Sequence, residues 1–460
     1  MSGEKAREIA ELVERQRRYF TSGATAPVGV RKEYLRRLAK VIRTMEPEIL
    51  EALKSDLGKC GAEGYMTEIG MTLSEISYML KHVDRLAKKR LKPTPLAQIP
   101  GVSYELPVPY GVVLIMSPWN YPFLLALDPL VDAIAAGNTA VIKVSKDAPA
   151  TAEVVKRLVE SVFPADYVAV VTGGRLENQA LLSQKFDHIF FTGSKSVGRY
   201  VMEQASKHLT PVTLELGGKS PCVVDETADL ARAAVRIAFG KYLNCGQTCV
   251  APDYVLVHES VRDQFVELLK IAIEEQYSGD ALNNPNYGCI VNEKHFNRLL
   301  GLIDPEKVVY GGRSEGRKIE PTVMVDVTLD DAIMKEEIFG PVLPILTYKT
   351  AEEIKEIVAK NPTPLAFYLF TRDKVMEDKL MGSIPFGGGC VNDTIIHLAT
   401  NYMGFGGVGE SGMGSYHGRY GFETFSHKKS IVKKPATAEL PLRYQPYTKL
   451  QEKLFRIFLR

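Results

Sequence analysis

The sequence predicts an α/β protein with a doubly wound parallel sheet, followed by a second α/β domain. From about residue 111 onward, short apolar segments alternate with helical stretches, which is the order that parallel strands and their crossover helices require. The chain has 460 residues, too many for one compact core. Its first hundred residues have the 3.6-residue apolar period of helices, as in Leu35, Leu38 and Ile42.

Four strands are predicted before a domain boundary that we place near Thr210-Pro211. They cover residues 111–116, 139–143, 167–171 and 188–192. One intervening helix is predicted to stop at Gly137-Asn138, a typical C-terminal signal. The second set is predicted to contain strands 212–216 and 254–258 and helices 228–239 and 261–275, with a weak amphipathic helix near the end of the chain at 450–459.

Composition excludes several classes of protein. The formal charge is +2, from 57 basic and 55 acidic residues, so there is no electrostatic case for a nucleic acid or an anionic membrane as partner. Apolar runs are shorter than the roughly 18–20 residues of a spanning helix, and the N-terminus lacks the apolar core of a signal peptide. The six cysteines form neither a disulfide framework nor a paired zinc motif. We therefore expect a cytoplasmic protein that binds no metal.

A small-residue turn follows the predicted strand 188–192. In Gly193-Ser-Lys-Ser-Val-Gly198, Ser194 or Ser196 can cap a helix, and backbone N–H groups can approach a pyrophosphate. A plain strand-to-helix connection is the alternative. The sequence Gly404-Phe-Gly-Gly-Val-Gly409 has the G-x-G-x-x-G spacing, but no strand-turn-helix unit surrounds it, so it is interpreted as a tight loop.

Two side chains are candidates for nucleophile and base. Cys249 ends Asn244-Cys-Gly-Gln-Thr-Cys249, where nearby donors or a helix N-terminus would lower its pKa from about 8.5; the alternative is an inert thiol. Glu215 is a lone carboxylate at the end of an apolar strand, which is costly to bury unless it is paired or used. The alternative for Glu215 is a salt bridge to Lys219.

A third candidate follows the strand 111–116, in Ser117-Pro-Trp-Asn-Tyr-Pro122. Open α/β sheets place ligands at the carboxyl ends of their strands, and the Asn120 amide can donate to an oxyanion. The alternative is a turn in which Asn120 bonds to its own backbone.

These motifs, taken in order with Glu336-Glu-Ile-Phe-Gly-Pro-Val342, resemble the aldehyde dehydrogenase superfamily over essentially the whole chain. The short N-terminus and the segment 407–417 are most similar to its class 3 branch of dimeric enzymes that act on fatty and aromatic aldehydes. The resemblance implies a Rossmann-like dinucleotide-binding domain at 1–97 and 111–209, a catalytic domain at 210–417, bridging strands for oligomerisation at 98–110 and 418–445, and a tail at 446–460.

The resemblance also implies roles for single residues. Cys249 would attack the aldehyde, Glu215 would activate water, and Asn120 with the Cys249 N–H would form the oxyanion hole. Glu337 would hold the nicotinamide ribose, Phe339 would pack near the nicotinamide, residues 193–198 would follow the pyrophosphate, and Lys143 would reach the adenosine ribose. The implied cofactor-binding set is Trp119, Lys143, Lys146, Thr192, Gly193, Ser194, Val197, Gly198, Leu216, Gly217, Glu337 and Phe339. The implied substrate-lining set is Tyr121, Phe239, Leu243, Ile395 and Phe405.

One position departs from the family pattern, which usually reads Lys-Pro-Ser-Glu where this chain has Lys143-Val-Ser-Lys146. A lysine there would attract the 2′-phosphate that a glutamate repels, so both NAD and NADP are expected as cofactors. The resemblance further implies a homodimer with a small-molecule aldehyde as substrate. A CoA-acylating enzyme and a non-enzymatic homologue are the alternatives; the presence of Glu215 favours hydrolysis, and the three candidate residues together favour an enzyme.

Overall fold

The structure is a computed structural model that describes residues 2–438 and 441–459, in which a helical N-terminal part precedes a mixture of helices and strands. The α-helices are Ser2–Thr21, Val28–Thr44, Glu46–Leu57, Gly61–Gly64, Gly70–Leu86, Leu124–Ala136, Pro149–Val162, Arg175–Leu182, Lys195–Ser206, Leu230–Tyr242, Arg262–Tyr277, Glu293–Leu300, Ala351–Ala359, Lys374–Ser383, Gly418–Thr424 and Lys449–Phe458. The strands are Arg90–Lys92, Val102–Pro109, Val112–Met116, Thr139–Lys143, Val168–Val171, His188–Thr192, Val212–Glu215, Pro221–Val224, Tyr254–His258, Val308–Tyr310, Ser314–Glu315, Lys318–Ile319, Thr322–Met324, Val342–Tyr348, Ala366–Phe370, Gly388–Val391, Gly412–Met413 and Ser426–Lys433.

The first sheet has six strands and is parallel except at one edge. Its order is Gly412–Met413, Val212–Glu215, His188–Thr192, Val112–Met116, Thr139–Lys143, Val168–Val171. Alternate residues of one strand enter different apolar clusters, because successive side chains of a strand point to opposite faces. Val113 and Ile115 belong to one cluster, and Val112 and Leu114 belong to another. The sheet is therefore covered on both faces, and the predicted α/β class is confirmed.

The predicted place of strand 212–216 is wrong. Val212–Glu215 pairs in parallel with His188–Thr192 and so completes the first sheet instead of opening the second. Thr210-Pro211 lies at the end of the connection between these two strands, after helix Lys195–Ser206. A proline breaks a strand locally, and this signal is the same at a turn as at a domain boundary.

The second sheet has seven strands, in the order Val308–Tyr310, Thr322–Met324, Val342–Tyr348, Tyr254–His258, Pro221–Val224, Ala366–Phe370, Gly388–Val391. All neighbours are parallel except the first pair, which is antiparallel. Cys222 and Val224 pack into one apolar cluster and Val223 into another, so this sheet is also covered on both faces. Helices Leu230–Tyr242 and Arg262–Tyr277 pack against each other in this half of the chain.

A three-stranded antiparallel sheet joins Arg90–Lys92, Val102–Pro109 and Ser426–Lys433. The bridging prediction of 418–445 is wrong at its start, because Gly418–Thr424 is a helix that packs on helices of the first domain. Positions 439, 440 and 460, within the predicted bridging and tail segments, lie outside the described residues. In the described part of the chain, no helix has the length and apolar character needed to cross a bilayer.

Candidate functional site

The candidate residues gather at the carboxyl ends of the first sheet. Glu215, Thr192, Met116 and Lys143 end four neighbouring parallel strands and so lie along one edge. Cys249 follows a short loop after helix Leu230–Tyr242. It lines a cavity together with Thr192 and Glu215 and so lies at the same edge of the sheet. The site is thus formed between the two sheets, where open α/β folds place ligands.

Two cavities meet at Cys249. The larger cavity has a volume of about 860 Å³ and the smaller one about 590 Å³, and Cys249 and Leu125 line both. The larger is lined by Met66, Thr67, Met71, Tyr121, Leu124, Leu125, Phe239, Leu243, Thr248, Cys249, Ile395, Ile396, Leu398, Ala399, Phe405, Tyr416 and His417. The smaller is lined by Pro118, Trp119, Asn120, Leu125, Thr192, Gly193, Ser194, Glu215, Leu216, Gly217, Cys249, Glu337 and Phe339.

The predicted residues separate cleanly between the two cavities. All five predicted substrate-lining residues line the larger, mainly apolar cavity. Asn120 and Glu215 line the smaller cavity together with eight of the twelve predicted cofactor residues. The remaining four, Lys143, Lys146, Val197 and Gly198, lie outside this cavity, on the next strand end and on the helix that follows Ser194.

The turn before helix Lys195–Ser206 leaves its N-terminus open. Ser194 is the N-cap, but its hydroxyl makes no capping bond and instead lies 3.2 Å from the Ser196 hydroxyl. Gly193 and Gly198 are held to glycine by packing, since a Cβ would come within 2.7 Å of Phe191 and 2.8 Å of Leu216 respectively. The uncapped N–H groups and the close approach of the backbone fit a pyrophosphate.

The two lysines at the next strand end differ in environment. The Lys143 ammonium is buried and donates to the carbonyl oxygens of Val144 (2.6 Å) and Gly173 (2.8 Å). Burial lowers its pKa to about 8, although Glu177 and Asp147 act in the opposite direction. Lys146 is exposed and lies beside Gly174. Its side chain is therefore accessible to a ligand bound along this edge.

The loop carrying Glu337 and Phe339 is fixed by buried polar contacts. Lys219 donates to Asp253 (2.5 Å) and to the Glu336 carbonyl (2.9 Å), so the proposed alternative of a Lys219–Glu215 salt bridge is wrong. Phe339 has a left-handed φ of 50° and meets Trp119 edge-on at 5.3 Å between ring centroids.

The Glu337 carboxylate packs directly on Gly217, where a Cβ would come within 2.0 Å of it. Burial and the nearby Asp253 raise the pKa of Glu337 to about 8. A glycine at position 217 is therefore required for this carboxylate to lie in the cavity wall.

The loop before Cys249 has an unusual backbone. Asn244, Cys245 and Gly246 have φ values of 52°, 53° and 72°, all in the left-handed region. Non-glycine residues there cost roughly 1–3 kcal/mol each and persist only where surrounding contacts hold them. Only glycine fits at position 246, because a Cβ there would come within 2.3 Å of the Gly340 carbonyl oxygen.

Amide side chains provide those contacts. Asn244 donates to the backbone carbonyls of Asn120 (2.8 Å) and Gln247 (3.1 Å), and Gln247 donates back to the Asn244 carbonyl (3.0 Å). The Asn120 amide donates to the Gln247 carbonyl at 3.0 Å, and Tyr121 bonds to Thr248 at 2.6 Å. An amide nitrogen has two hydrogens, so Asn120 keeps a second donor for a ligand.

A buried ion pair contacts the backbone of Asn120. Lys59 and Glu68 have no exposed side-chain surface and lie 2.5 Å apart. Lys59 also donates to the Asn120 carbonyl at 3.1 Å, while Glu68 accepts from the backbone N–H groups of Phe123 (2.8 Å) and Leu124 (3.2 Å). Sequence analysis missed both residues, because a lysine between two helices and a glutamate on a helical segment look like ordinary surface charges.

The expected lowering of the Cys249 pKa is wrong. Burial raises the pKa of this thiol, and the carboxylates of Glu337 and Glu215 raise it further, although two backbone N–H groups act in the opposite direction. Glu215 is buried as well, and among the described residues no hydrogen-bond donor reaches its carboxylate oxygens. Burial therefore raises the pKa of Glu215 well above its usual value.

The fold and site together are those of an α/β protein in which two cavities share a thiol and the N-terminus of a helix next to one of them is uncapped, an arrangement typical of dinucleotide-dependent oxidoreductases. A family profile described as "Aldehyde dehydrogenase family" matches residues 1–431. The chain is 48% identical over 433 residues to "4,4'-diaponeurosporen-aldehyde dehydrogenase" of Staphylococcus aureus, covering 93% of this chain and 94% of that protein. It is 43% identical to "Aldehyde dehydrogenase, dimeric NADP-preferring" of Canis lupus familiaris, covering 95% and 98%.

A solved structure described as "Substrate bound state of Staphylococcus Aureus AldH" superposes with a TM-score of 0.96 at 46% identity, covering 98% of this chain and 99% of that one. The chain belongs to the aldehyde dehydrogenase family and is an NAD(P)-dependent enzyme that oxidises aldehydes.

Proposed function

We propose that this enzyme oxidises apolar aldehydes to carboxylic acids through a thioester on Cys249. The observation that carries the proposal is the position of Cys249 on the wall shared by an apolar cavity and a cavity that contains Asn120, Glu215 and Glu337. A substrate in the first cavity and a dinucleotide in the second would meet at the sulfur. Cys245, four residues earlier, lines neither cavity.

The residues fit a dinucleotide for two reasons. The helix N-terminus at Ser194 has no side-chain cap, and a side chain at position 217 would fill the space that Gly217 leaves open beside Glu337. Glu337 would hold the nicotinamide ribose, and Phe339 would pack near the nicotinamide ring. Lys143 would reach the adenosine ribose. When bound, NAD(P)⁺ accepts the hydride, and its positive charge favours the thiolate of Cys249. This effect opposes the raised pKa that the thiol has beside two carboxylates.

The protein's own groups carry the remaining steps. The Cys249 sulfur bonds to the aldehyde carbon, and the resulting oxyanion accepts hydrogen bonds from the second Asn120 hydrogen and the Cys249 N–H. Re-formation of the carbonyl expels hydride from that carbon, which leaves a thioester. Glu215 then removes a proton from water, the hydroxide adds to the thioester, and the carbon–sulfur bond breaks to release the acid and the thiolate.

The lining of the larger cavity supports an apolar substrate. Phe239, Leu243, Ile395 and Phe405 contribute hydrophobic surface, and Tyr121 has its hydroxyl occupied by Thr248. Burying each methylene of an aliphatic chain there is favourable by about 0.8 kcal/mol, so aliphatic and aromatic aldehydes are preferred over small polar ones.

For the cofactor, we propose that NADP is used as well as NAD. Lys146 is exposed at the strand end beside Lys143, and an ammonium there can form charge-assisted hydrogen bonds with a 2′-phosphate. The Canis lupus familiaris relative, which is named NADP-preferring, supports this proposal.

We also propose a homodimer that associates through the three-stranded sheet. Leu91, Val102 and Val432 are exposed apolar side chains on its strands, and a subunit interface would cover them. Light scattering coupled to size exclusion measures the mass. A stable mass near 51.0 kDa, that of one chain, would contradict the dimer.

The mechanism is tested by rapid mixing with cofactor and an apolar aldehyde. Cys249→Ser should lose nearly all activity while it still binds cofactor, whereas the matched control Cys245→Ser should lose far less. Glu215→Gln should release a burst of NAD(P)H and then stall, because acylation needs no water. Near wild-type turnover by Cys249→Ser, or absence of the burst in Glu215→Gln, would overturn the assignments.

The same assay separates hydrolysis from CoA acylation. Glu215 in the cavity wall favours water as acceptor, so the product should be the free acid with or without added CoA. Formation of acyl-CoA as the main product would establish the alternative activity.

A further inference from the structure

A group of buried ionisable side chains lies beside the apolar cavity and takes no part in the proposed reaction. Asp128 and Asp132 lie one turn apart on helix Leu124–Ala136, so they share one face of it. Glu75 comes from a different helix, and His417 comes from the segment before helix Gly418–Thr424. All four side chains are at least nine-tenths buried.

The surrounding protein satisfies only part of this group. The Gly418 N–H donates to Glu75 Oε1 at 2.9 Å, and His417 Nδ1 lies 2.8 Å from Asp128 Oδ2. Among the described residues, no nitrogen or hydroxyl donor reaches Glu75 Oε2 or Asp128 Oδ1, and Glu75 also forms a side-chain hydrogen bond with the Asp132 carboxyl. Buried carboxylate oxygens without a donor are costly, and one imidazole does not balance three carboxyl groups.

The fold makes room for these carboxyl groups in a specific way. A Cβ at position 421 would come within 1.8 Å of Asp132 Oδ2, so the Asp132 carboxyl occupies space that only a glycine at 421 leaves. Asp132 in turn interacts with Glu75. A cavity of about 410 Å³ is lined in part by Glu75, Asp128 and His417, so open space adjoins these three residues.

The spacing of the ligand atoms fits a metal ion. One ligand atom each from Glu75, Asp128 and His417 lies within 4.8 Å of the other two. Metal–oxygen and metal–nitrogen bonds of about 2.0–2.2 Å place neighbouring ligands of one ion roughly 3.0–3.5 Å apart. Side-chain rotations that shorten the longer ligand–ligand distances by about 1–2 Å are therefore needed to close three ligands around one ion.

We infer that Glu75, Asp128 and His417 bind a divalent metal ion, with the Asp132 carboxyl adjacent to it. Two carboxylates with one imidazole suit first-row ions such as Mn²⁺ and Zn²⁺ better than Ca²⁺, which takes six to eight oxygens. His417 exchanges its hydrogen bond with Asp128 for the metal. Because His417 also lines the apolar cavity, the ion stiffens one wall of the substrate site.

The competing explanation is that the carboxyl groups share protons and bind no ion. The two explanations differ in one measurement, the equilibrium binding of Mn²⁺ to the chelator-treated, cofactor-free full-length enzyme, followed by electron paramagnetic resonance of free Mn²⁺. We expect saturable binding of one ion per chain, displaced by Zn²⁺. No saturable binding up to roughly 1 mM, the weak end for carboxylate sites, would overturn the inference.

Two substitutions in the group test whether the ion binds there. Asp128→Asn and Glu75→Gln keep the side-chain shape and should each weaken binding by more than the 10- to 100-fold that losing an outer contact to a metal ligand typically costs. The matched control is Asp84→Asn, an exposed carboxylate on the same helix as Glu75, which should bind Mn²⁺ like the unmodified enzyme. Binding that survives both buried substitutions would place the ion elsewhere and overturn the inference.

A second measurement needs no variant and holds even if the substitutions prevent folding. Crystals of the unmodified enzyme soaked in Mn²⁺ should show an anomalous density peak between Glu75 and Asp128. A peak only at other positions, or no peak at an occupancy-saturating concentration, refutes the site.

Discussion

Replacing Lys59 by methionine should damage both stability and catalysis, for separate reasons. Lys59 and Glu68 are fully buried, and Lys59→Met leaves the Glu68 carboxylate without its cation. Breaking a buried ion pair from one side costs about 3–5 kcal/mol. At about 2 °C per kcal/mol for a domain of some 200 residues, Tm should fall by roughly 6–10 °C.

The catalytic loss follows from the second bond of Lys59. In the variant, the Asn120 carbonyl loses the 3.1 Å contact from the ammonium but keeps the one from Asn244. One hydrogen bond is worth about 1 kcal/mol, and losing the whole oxyanion donor costs on the order of 10²–10³ in kcat. We therefore expect kcat to fall about fivefold and KM to change less, since Lys59 does not itself line the substrate cavity, although its ammonium lies 3.9 Å from the centre of the Tyr121 ring.

A double variant separates the two effects. Lys59→Met/Glu68→Gln removes the unpaired charge, while the glutamine oxygen still accepts from Phe123 and Leu124. Tm should recover most of its loss, but kcat should stay low because Asn120 still lacks the lysine. The assays are differential scanning fluorimetry and the pre-steady-state burst rate. A drop of less than 2 °C in the single variant, or full recovery of kcat in the double variant, refutes the reasoning.

Four further outcomes are expected. Asn120→Ala should slow the NAD(P)H burst by on the order of 10²–10³, and an unchanged burst would exclude it as oxyanion donor. Because burial raises the pKa of Glu215 and a base acts deprotonated, the deacylation rate should rise with pH through an inflection above the ordinary value of 4.5; an inflection at 4.5 would contradict this assignment. Lys146→Glu should lower the ratio of kcat/KM with NADP to kcat/KM with NAD about ten- to a hundredfold, whereas the exposed control Lys207→Glu should leave it unchanged. The same ratio in Lys146→Glu as in the unmodified enzyme would show that Lys146 does not contact the 2′-phosphate. Leu124→Phe should raise KM for long aliphatic aldehydes about fourfold for each methylene it excludes and leave short ones unaffected, and a uniform change would place the chain elsewhere.

The strongly apolar strands were predictable because burial on both faces leaves a local signal, and 139–143 and 188–192 agree with the structure to the residue. Strand Val212–Glu215 was placed in the wrong sheet because the local sequence of a strand does not determine which other strand it pairs with. The support of the site was missed for the same reason. Lys59 contacts Asn120 across 61 positions, and Asn120 contacts Gln247 across 127.

The Cys249 pKa was misjudged because sequence shows which donors are near a thiol but not how deeply it is buried. Glu337 lies 88 positions further along the chain, yet its carboxylate is among the groups that raise the pKa of this thiol. Both effects depend on tertiary packing. The candidate residues that line the two cavities could thus be found from motifs, whereas the electrostatic environment around them could not.

The shared wall at Cys249 and Leu125 has a consequence for inhibition. Because Cys249 and Leu125 are the described residues that line both cavities, a compound that fills the apolar cavity without displacing either side chain leaves the smaller cavity geometrically intact. Such a compound would compete with aldehyde and not with NAD(P). A compound that displaces the Leu125 or Cys249 side chain would compete with both, so contact with this shared wall divides the inhibitors of this enzyme into two kinetic classes.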